Sequence, residues 1–189
     1  MSALPMVAVY ADESCLGNGR EGDNPGGAGG LIESRGVNAF EPTLLDYWLS
    51  EPSTTNNKMA LRSAIDALHI LSRKGNRLRV FFTSDSQYLV KGIKEWVPGW
   101  KSRGWRRRGG AIENLDLWQE LDQVARSHDV NWQWVRGHDG HPQNEYANHL
   151  ATRAAREQSN SAGPVPSLYV EWLAAQRARG KLAPAQPTW

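Results

Sequence analysis

The 189-residue sequence contains one cysteine, Cys15, so no disulfide can form within the chain. No stretch approaches about 18 uninterrupted apolar residues, and we therefore expect no transmembrane helix and no membrane partner. Residues 1–9 lack the basic flank and long apolar run of a signal peptide. These absences favour a cytoplasmic protein, and nothing in the sequence demands more than a monomer.

Net charge is also small, at +2 with a calculated pI of 8.8, but its distribution is uneven. Seven cations stand between Lys91 and Arg108 against one acid, Glu95. Such a concentrated basic segment predicts a polyanionic partner. Aromatic rings interleave with these cations and suit a sugar–phosphate backbone, although one or more of them could belong to the core: Trp96, Trp100 and Trp105.

Apolar spacing predicts alternating strands and helices. Strands are expected at 6–11, 26–33, 77–83 and 130–136, with an extended piece within 37–49. The first helix is expected to begin after the N-cap residues of 54–57 and to end at 74–76. Further helices are expected over 87–96, with a stop near Pro98-Gly99, around 115–125, over 142–157 and within 168–179. This order predicts an α/β fold, a mixed five-stranded sheet with helices on both faces. We place one domain at 1–158 and a C-terminal extension at 159–189, comprising a short helix and a mobile tail.

Two carboxylates, Asp12 and Asp85, stand at the ends of predicted strands. In an open α/β sheet, ligands bind outside the carboxyl ends of the strands, so both side chains would face one point if the strands are neighbours. Paired carboxylates suit Mg²⁺, which prefers oxygen ligands. Each aspartate alone could simply cap the following turn.

Histidines suggest two further interpretations. His138 lies in a loop that follows a predicted strand, where it could move a proton near a metal site or simply be exposed to solvent. A zinc site is conceivable but matches no recognised ligand spacing, and its candidate ligands are His138, His141, His149 and Cys15.

Six stretches resemble the type 1 ribonuclease H family. They are 12–18 (DESCLGN), 54–59 (TTNNKM), 83–88 (TSDSQY), 96–105, 114–118 (NLDLW) and 134–145 (WVRGHDGHPQNE). They occur in the family's order at nearly its spacing, and the resemblance covers about residues 6–157. It implies the ribonuclease H-like fold and a metal-dependent endonuclease that cuts the RNA strand of RNA/DNA hybrids and leaves a 5′ phosphate.

The resemblance also implies roles for individual residues. Asp12 and Asp85 match two of the family's four metal-binding carboxylates, and His138 matches its mobile active-site histidine. Positions that match substrate-binding segments are Cys15, Asn18, Thr55, Asn56, Asn57, Ser86 and Gln87, together with Trp96, Trp100, Lys101 and Trp105 of the basic protrusion that holds the DNA strand. The family uses two Mg²⁺ ions, one to activate water and one to stabilise the leaving 3′ oxygen.

Three positions depart from the family pattern. Ala60 replaces a glutamate on the first helix, and Asn148 replaces an aspartate on the last helix, keeping a carbonyl oxygen but not the charge. Glu13 stands where the family has glycine. We hypothesise that Glu13 supplies the carboxylate that Ala60 lacks, which would require the strand to end or twist at Asp12 because adjacent strand residues point to opposite faces. A solvated Glu13 is the alternative.

Three carboxylates balance two divalent ions less well than four, so we expect a need for higher Mg²⁺ or a preference for Mn²⁺. Two other interpretations stay open: a module that binds hybrid or RNA duplex but has lost its chemistry, and a chain in which a Glu→Ala or Asp→Asn replacement was introduced to trap substrate. An RNA duplex or a chimeric junction is also a conceivable substrate, because each presents 2′-hydroxyls in related grooves.

Overall fold

The computed structural model describes residues 4–17, 23–35, 41–137 and 139–182. The strands of this part are β1 (Met6–Cys15), β2 (Gly26–Ser34), β3 (Thr43–Glu51), β4 (Arg79–Ser84), β5 (Asp129–Trp134) and β6 (Val165–Pro166). The helices are α1 (Asn56–Ser72), α2 (Gln87–Lys91), α3 (Val97–Ser102), α4 (Leu115–Ala125), α5 (Pro142–Glu157) and α6 (Tyr169–Ala178). A π-helical segment, Gly92–Trp96, joins α2 to α3.

The strands form one mixed sheet in the order β5-β4-β1-β2-β3-β6. β1 runs parallel to β4 and antiparallel to β2, and β4 runs parallel to β5. The predicted mixed α/β architecture is confirmed, but the predicted count of five strands is wrong. The extra strand, β6, pairs with the edge strand β3 through only two residues, one of them a proline. So short a strand leaves no alternating pattern to detect, and proline is tolerated at a sheet edge.

Helices cover both faces of the sheet, as predicted. Alternate residues of β1 face opposite sides: Val9 and Ala11 join the larger core with α1, whereas Ala8 and Tyr10 join a smaller core with α5. Burial on both faces explains why β1 is a continuous apolar run rather than an alternating one.

Glycines in β2 let α5 lie directly on the sheet. A Cβ atom at Gly27 or Gly29 would come closer than 3.0 Å to the backbone of Ala151 or the side chain of Leu150. Bare backbone at these positions therefore permits the close helix–sheet packing that brings the first half of α5 beside β1.

The helical path after β4 runs further than predicted. It continues through Pro98 to Ser102, so the expected stop near Pro98-Gly99 is wrong. Pro98 lies in the first turn of α3, where a missing N–H costs little. Gly92 lies against Trp118 of α4, where an added Cβ would come closer than 3.0 Å to the indole.

The C-terminal extension packs on the same sheet. Asp46 of β3 is buried and accepts hydrogen bonds from the Tyr146 hydroxyl, at 2.6 Å, and from the Leu168 backbone N–H, at 3.3 Å. Helix α6 falls within the predicted range 168–179, and the boundary at residue 158 stays a prediction. The expected mobile tail includes residues 183–189, and the range given for the third extended piece includes residues 37–40. Both stretches lie outside the described part of the chain. No helix in the described ranges is long and apolar enough to cross a membrane.

Candidate active site

Three carboxylates meet at one point where β4 ends beside the later part of β1. Asp12, Glu13 and Asp85 each offer an oxygen, and these oxygens all lie within 4.8 Å of one another. The cause is the sheet register: Ala11 of β1 pairs with Ser84 of β4 in the parallel arrangement, so the next residue of each strand emerges at the same edge. The structure thus brings together the two predicted aspartates and the hypothesised glutamate.

The path of β1 differs from the expected one. The strand does not end at Asp12 but stays paired with β2 through Cys15, with Asp12 opposite Gly29 and Glu13 opposite Ala28. Of the two conditions that the hypothesis named, an end of the strand at Asp12 is therefore wrong, and a twist there stays a prediction. Glu13 brings a carboxylate oxygen into the cluster although β1 continues past it.

Asp12 is the most enclosed member of the cluster, with 4% of its surface exposed. Its Oδ1 accepts the Glu13 backbone N–H at 2.7 Å, and its Oδ2 accepts the Asn144 side-chain amide at 3.4 Å. Burial, followed by the charge of Asp85, raises the pKa of Asp12 to about 8, although the hydrogen bonds from Glu13 and Asn148 partly offset this rise. The ionised form is therefore disfavoured unless a cation is present.

Glu13 is subject to the same electrostatic strain. Burial raises the pKa of its carboxyl well above the ordinary value, and the charges of Asp12 and Asp85 add to the increase. The Ser86 side chain, at the N-cap of α2, hydrogen-bonds Glu13 and acts in the opposite direction. Ser86, predicted as a substrate-binding residue, thus has a contact within the carboxylate cluster.

Asn148 projects from the second turn of α5 toward the same place. Its side chain hydrogen-bonds Asp12, and its Oδ1 accepts from the Thr152 hydroxyl at 3.5 Å. Ala60 of α1 is 1% exposed within the larger core and offers no polar atom. The cluster therefore consists of three carboxylates, with the side-chain amides of Asn144 and Asn148 on Asp12.

Two contributors were not singled out by sequence reasoning. Gly137 lies against Asp85, where a Cβ atom would come closer than 3.0 Å to Oδ2. Asn144 is 2% exposed and reaches Asp12 from the first turn of α5. Both stand inside the matched stretch 134–145, but only the packing of α5 and the post-β5 loop on the strand ends reveals their contacts.

The other predicted site residues surround the cluster or lie elsewhere. Thr55 caps α1 by accepting the Lys58 backbone N–H at 3.3 Å, and Asn56 and Asn57 begin that helix. Cys15 ends β1, and Gln87 is exposed at the start of α2. Asn18 and His138 lie outside the described residues.

The basic segment keeps a charged surface, and one of its tryptophans is largely buried. Trp100 is 9% exposed and packs against Trp118 at 5.8 Å between ring centroids, so it belongs mainly to the core, and its role in substrate binding stays a prediction. Trp96 and Trp105 are half-buried against the same core. Lys101 pairs with Asp122 at 2.7 Å. The remaining cations are exposed: Lys91, Lys94, Arg103, Arg106, Arg107 and Arg108.

The zinc interpretation finds no support in the described part of the chain. There, the carboxylates just described form the only group of three or more His, Cys, Asp or Glu side chains close enough to hold a metal. His141 instead caps α5 and packs on Tyr10, and His149 stacks on Tyr146.

A cluster of carboxylates that could hold a metal, together with an exposed basic segment on the same chain, is the combination expected of a nuclease-type α/β protein. A family model described as RNase H matches residues 5–156, and the chain belongs to the ribonuclease H family. It is therefore a ribonuclease H.

Individual relatives agree with this assignment. The chain is 45% identical over 148 residues to the ribonuclease H of Stutzerimonas stutzeri, covering 78% of this chain and 89% of that protein. It is 46% identical over 149 residues to the ribonuclease H of Cupriavidus necator, covering 78% and 93%. The crystal structure of LC9-RNase H1, described as a type 1 RNase H with the type 2 active-site motif, has a TM-score of 0.89 and 56% identity, covering 97% of this chain and 88% of that one. The predicted type 1 family is thus confirmed.

Proposed function

We propose that this ribonuclease H cleaves the RNA strand of a hybrid at a divalent-metal site formed by Asp12, Glu13 and Asp85 and completed by Asn148. The observation that carries the proposal is the position of Glu13, whose carboxylate lies within 4.8 Å of both aspartates. The description of LC9-RNase H1 supports it, because that protein combines the type 1 fold with a different active-site motif and shares 56% identity with this chain.

Glu13 and Ala60 are complementary departures from the family pattern, because one adds a carboxylate where the other lacks it. By strand alternation, Glu13 lies on the same side of β1 as Val9 and Ala11, which is the side that α1 and Ala60 cover. A glutamate at position 60 would add a further buried negative charge on that side of the sheet. An alanine there leaves room for the Glu13 side chain and keeps the number of carboxylates at three.

The residues present fit divalent cations. Carboxylate and amide oxygens are the ligands that Mg²⁺ and Mn²⁺ prefer. Burial first and neighbouring carboxylates second raise the pKa values of Asp12 and Glu13, so a bound cation would favour the ionised forms of these groups. Two bound ions would supply the activation of water and the stabilisation of the leaving 3′ oxygen. Because the site has three carboxylates rather than four, we expect weaker Mg²⁺ binding and a preference for Mn²⁺.

The protein's own groups hold this arrangement in place. The Glu13 backbone N–H orients Asp12, the Ser86 side chain orients Glu13, and the bare backbone of Gly137 leaves space for Asp85. His138 follows Gly137 in the sequence and matches the family's active-site histidine. We assign it the movement of a proton to or from the reacting phosphate.

Hybrid binding is assigned to the surface around this cluster. The exposed cations of 91–108 suit the DNA backbone, and the polar residues Thr55, Asn56, Asn57 and Gln87 suit the RNA strand with its 2′-hydroxyls. An RNA duplex remains a candidate second substrate. A monomeric state and a cytoplasmic location stay predictions.

The test replaces Glu13 with glutamine and measures hybrid cleavage across Mg²⁺ and Mn²⁺ concentrations. Glutamine keeps the size of the side chain and its capacity to hydrogen-bond Ser86 but removes the charge, so we expect kcat to fall by about 100-fold or more. Glu33→Gln is the matched control, because burial also raises the pKa of Glu33 but this residue lies at the far end of β2. Unchanged cleavage by Glu13→Gln at low Mg²⁺ would remove Glu13 from the site.

A double replacement tests the complementarity of Glu13 and Ala60. Ala60→Glu alone should impair cleavage, because it adds a buried charge beside Glu13. Glu13→Gly combined with Ala60→Glu should recover much of that loss. If the wild-type chain binds hybrid but cleaves none with either metal, the enzymatic proposal fails and a binding module remains.

A further inference from the structure

The segment that leads into β2 joins two parts of the chain that surround the carboxylate cluster. Asn24 Oδ1 accepts the Gly17 backbone N–H at 2.9 Å, and Asn24 Nδ2 donates to the Thr54 carbonyl at 2.7 Å. The Asn24 carbonyl also accepts the Thr54 backbone N–H at 3.0 Å. One residue therefore connects the chain just after β1 to the residue before the N-cap of α1.

Neighbouring residues close the same junction. The Leu16 backbone N–H donates to the Pro25 carbonyl at 3.0 Å. A Cβ atom at Gly26 would come closer than 3.0 Å to the Thr54 methyl group and to 3.1 Å from the Cys15 Sγ. A Cβ atom at Gly17 would lie 3.0 Å from Asn24 Oδ1. The residues on both sides of Asn24 are therefore closely packed, and the distance between the chain after β1 and the N-terminus of α1 can vary little.

We propose that Asn24 is a positioning residue for hybrid binding, which fixes the distance between the loop after β1 and the N-terminus of α1. The inference rests on the proposed function, because one of the segments that Asn24 joins follows Cys15, which matches a substrate-binding segment of the family, and the other carries Thr55–Asn57, which are assigned to the RNA strand. Asn24 acts through backbone atoms, so it sets the shape of the surface whatever side chains the surface presents. Its loss should weaken substrate binding and leave the chemical step nearly unchanged.

Asn24→Ala is compared with Asn160→Ala in hybrid-cleavage kinetics. Asn160 is the matched control because its Oδ1 also accepts a backbone N–H, that of Ser50 at 2.7 Å, but at the β3 edge of the sheet. We expect KM to rise about tenfold in Asn24→Ala, the effect of losing one or two hydrogen bonds, with kcat within about twofold of wild type. Asn160→Ala should lower thermal stability without raising KM.

Gly17→Ala breaks the same junction from the other side. Its Cβ atom would crowd Asn24 Oδ1 and the Asp23 carbonyl, at 3.0 and 3.1 Å, so KM should rise here too. The double variant should be little worse than the more severe single one, because both changes remove one coupled contact. Additive effects on KM would overturn the proposal, as would a lowered kcat with unchanged KM in Asn24→Ala.

Two measurements keep this proposal separate from the assignment of the metal site. Hybrid affinity in metal-free buffer, followed by fluorescence anisotropy, should fall about tenfold in Asn24→Ala even if no cleavage occurs. Hydrogen exchange at the Gly17 amide should accelerate in the same variant. Faster exchange with unchanged affinity would show that the junction is structural only and would refute the positioning role.

Discussion

Gly137→Ala should disable the enzyme by displacing a carboxylate rather than by unfolding the chain. The new Cβ atom would come closer than 3.0 Å to Asp85 Oδ2, a separation that such atoms essentially never show, whereas ordinary contact begins at 3.4 Å. The Asp85 carboxylate or the loop must therefore move by about 1 Å. Because a misplacement of about 1 Å can cost about 100-fold in rate, we expect kcat to fall by about two orders of magnitude.

The assay is single-turnover cleavage of a labelled hybrid at saturating enzyme and Mg²⁺, with thermal unfolding measured in parallel. Gly140→Ala is the control from the same loop, because its Cβ atom meets nothing within 4 Å although its φ of +78° makes alanine unfavourable by about 1 kcal/mol. We expect its rate to stay within about threefold of wild type. An equal loss of rate in the two variants would refute the steric argument and assign the effect to the conformation of the loop.

Three other predictions concern stability. Burial raises the pKa of Asp12 to about 8, so the folded chain holds a proton that the unfolded chain releases near pH 4. In urea unfolding at pH 8, Asp12→Asn should therefore stabilise the metal-free protein by roughly 2 to 5 kcal/mol. A gain of the same size near pH 4 would contradict this prediction. Burial lowers the pKa of His128, whose Nδ1 accepts the Leu78 backbone N–H at 3.3 Å. Its contribution to the stability of the folded chain is therefore complete above about pH 6.5 and is lost as pH falls below that value. The Tm of the wild type should decline more than that of His128→Gln between pH 7 and 5, and an equal or smaller decline would disprove this prediction. Gly92→Ala forces a methyl group into the Trp118 indole and should cost about 1 to 3 kcal/mol, whereas an unchanged Tm would show that the π-helical segment yields freely.

The sheet and the two aspartates could be predicted because both follow from local pattern. Short apolar runs mark β1 and β4, and the parallel pairing of Ala11 with Ser84 places the residues that follow them, Asp12 and Asp85, side by side. Helix α5 was located to the residue because Pro142 marks its start and apolar spacing its length.

Features that depend on tertiary packing could not be predicted in this way. Interleaving with cations does not distinguish a surface tryptophan from a core one, and Trp100 is buried because Trp118 of α4 packs beside it. The role of Gly137 arises only where the loop after β5 passes Asp85. Strand alternation predicts that Glu13 and Asp12 lie on opposite faces of β1. It does not predict that a carboxylate oxygen of Glu13 nevertheless lies within 4.8 Å of oxygens of both aspartates.

The most direct test is a crystal structure of the chain soaked in Mn²⁺, with anomalous scattering used to locate the ions. We expect at least one ion coordinated by oxygens of Asp12, Glu13 and Asp85 together. An ion held by the two aspartates while the Glu13 carboxylate points away, or no ion at these side chains, would contradict the assignment of Glu13 as the replacement for the missing helix glutamate.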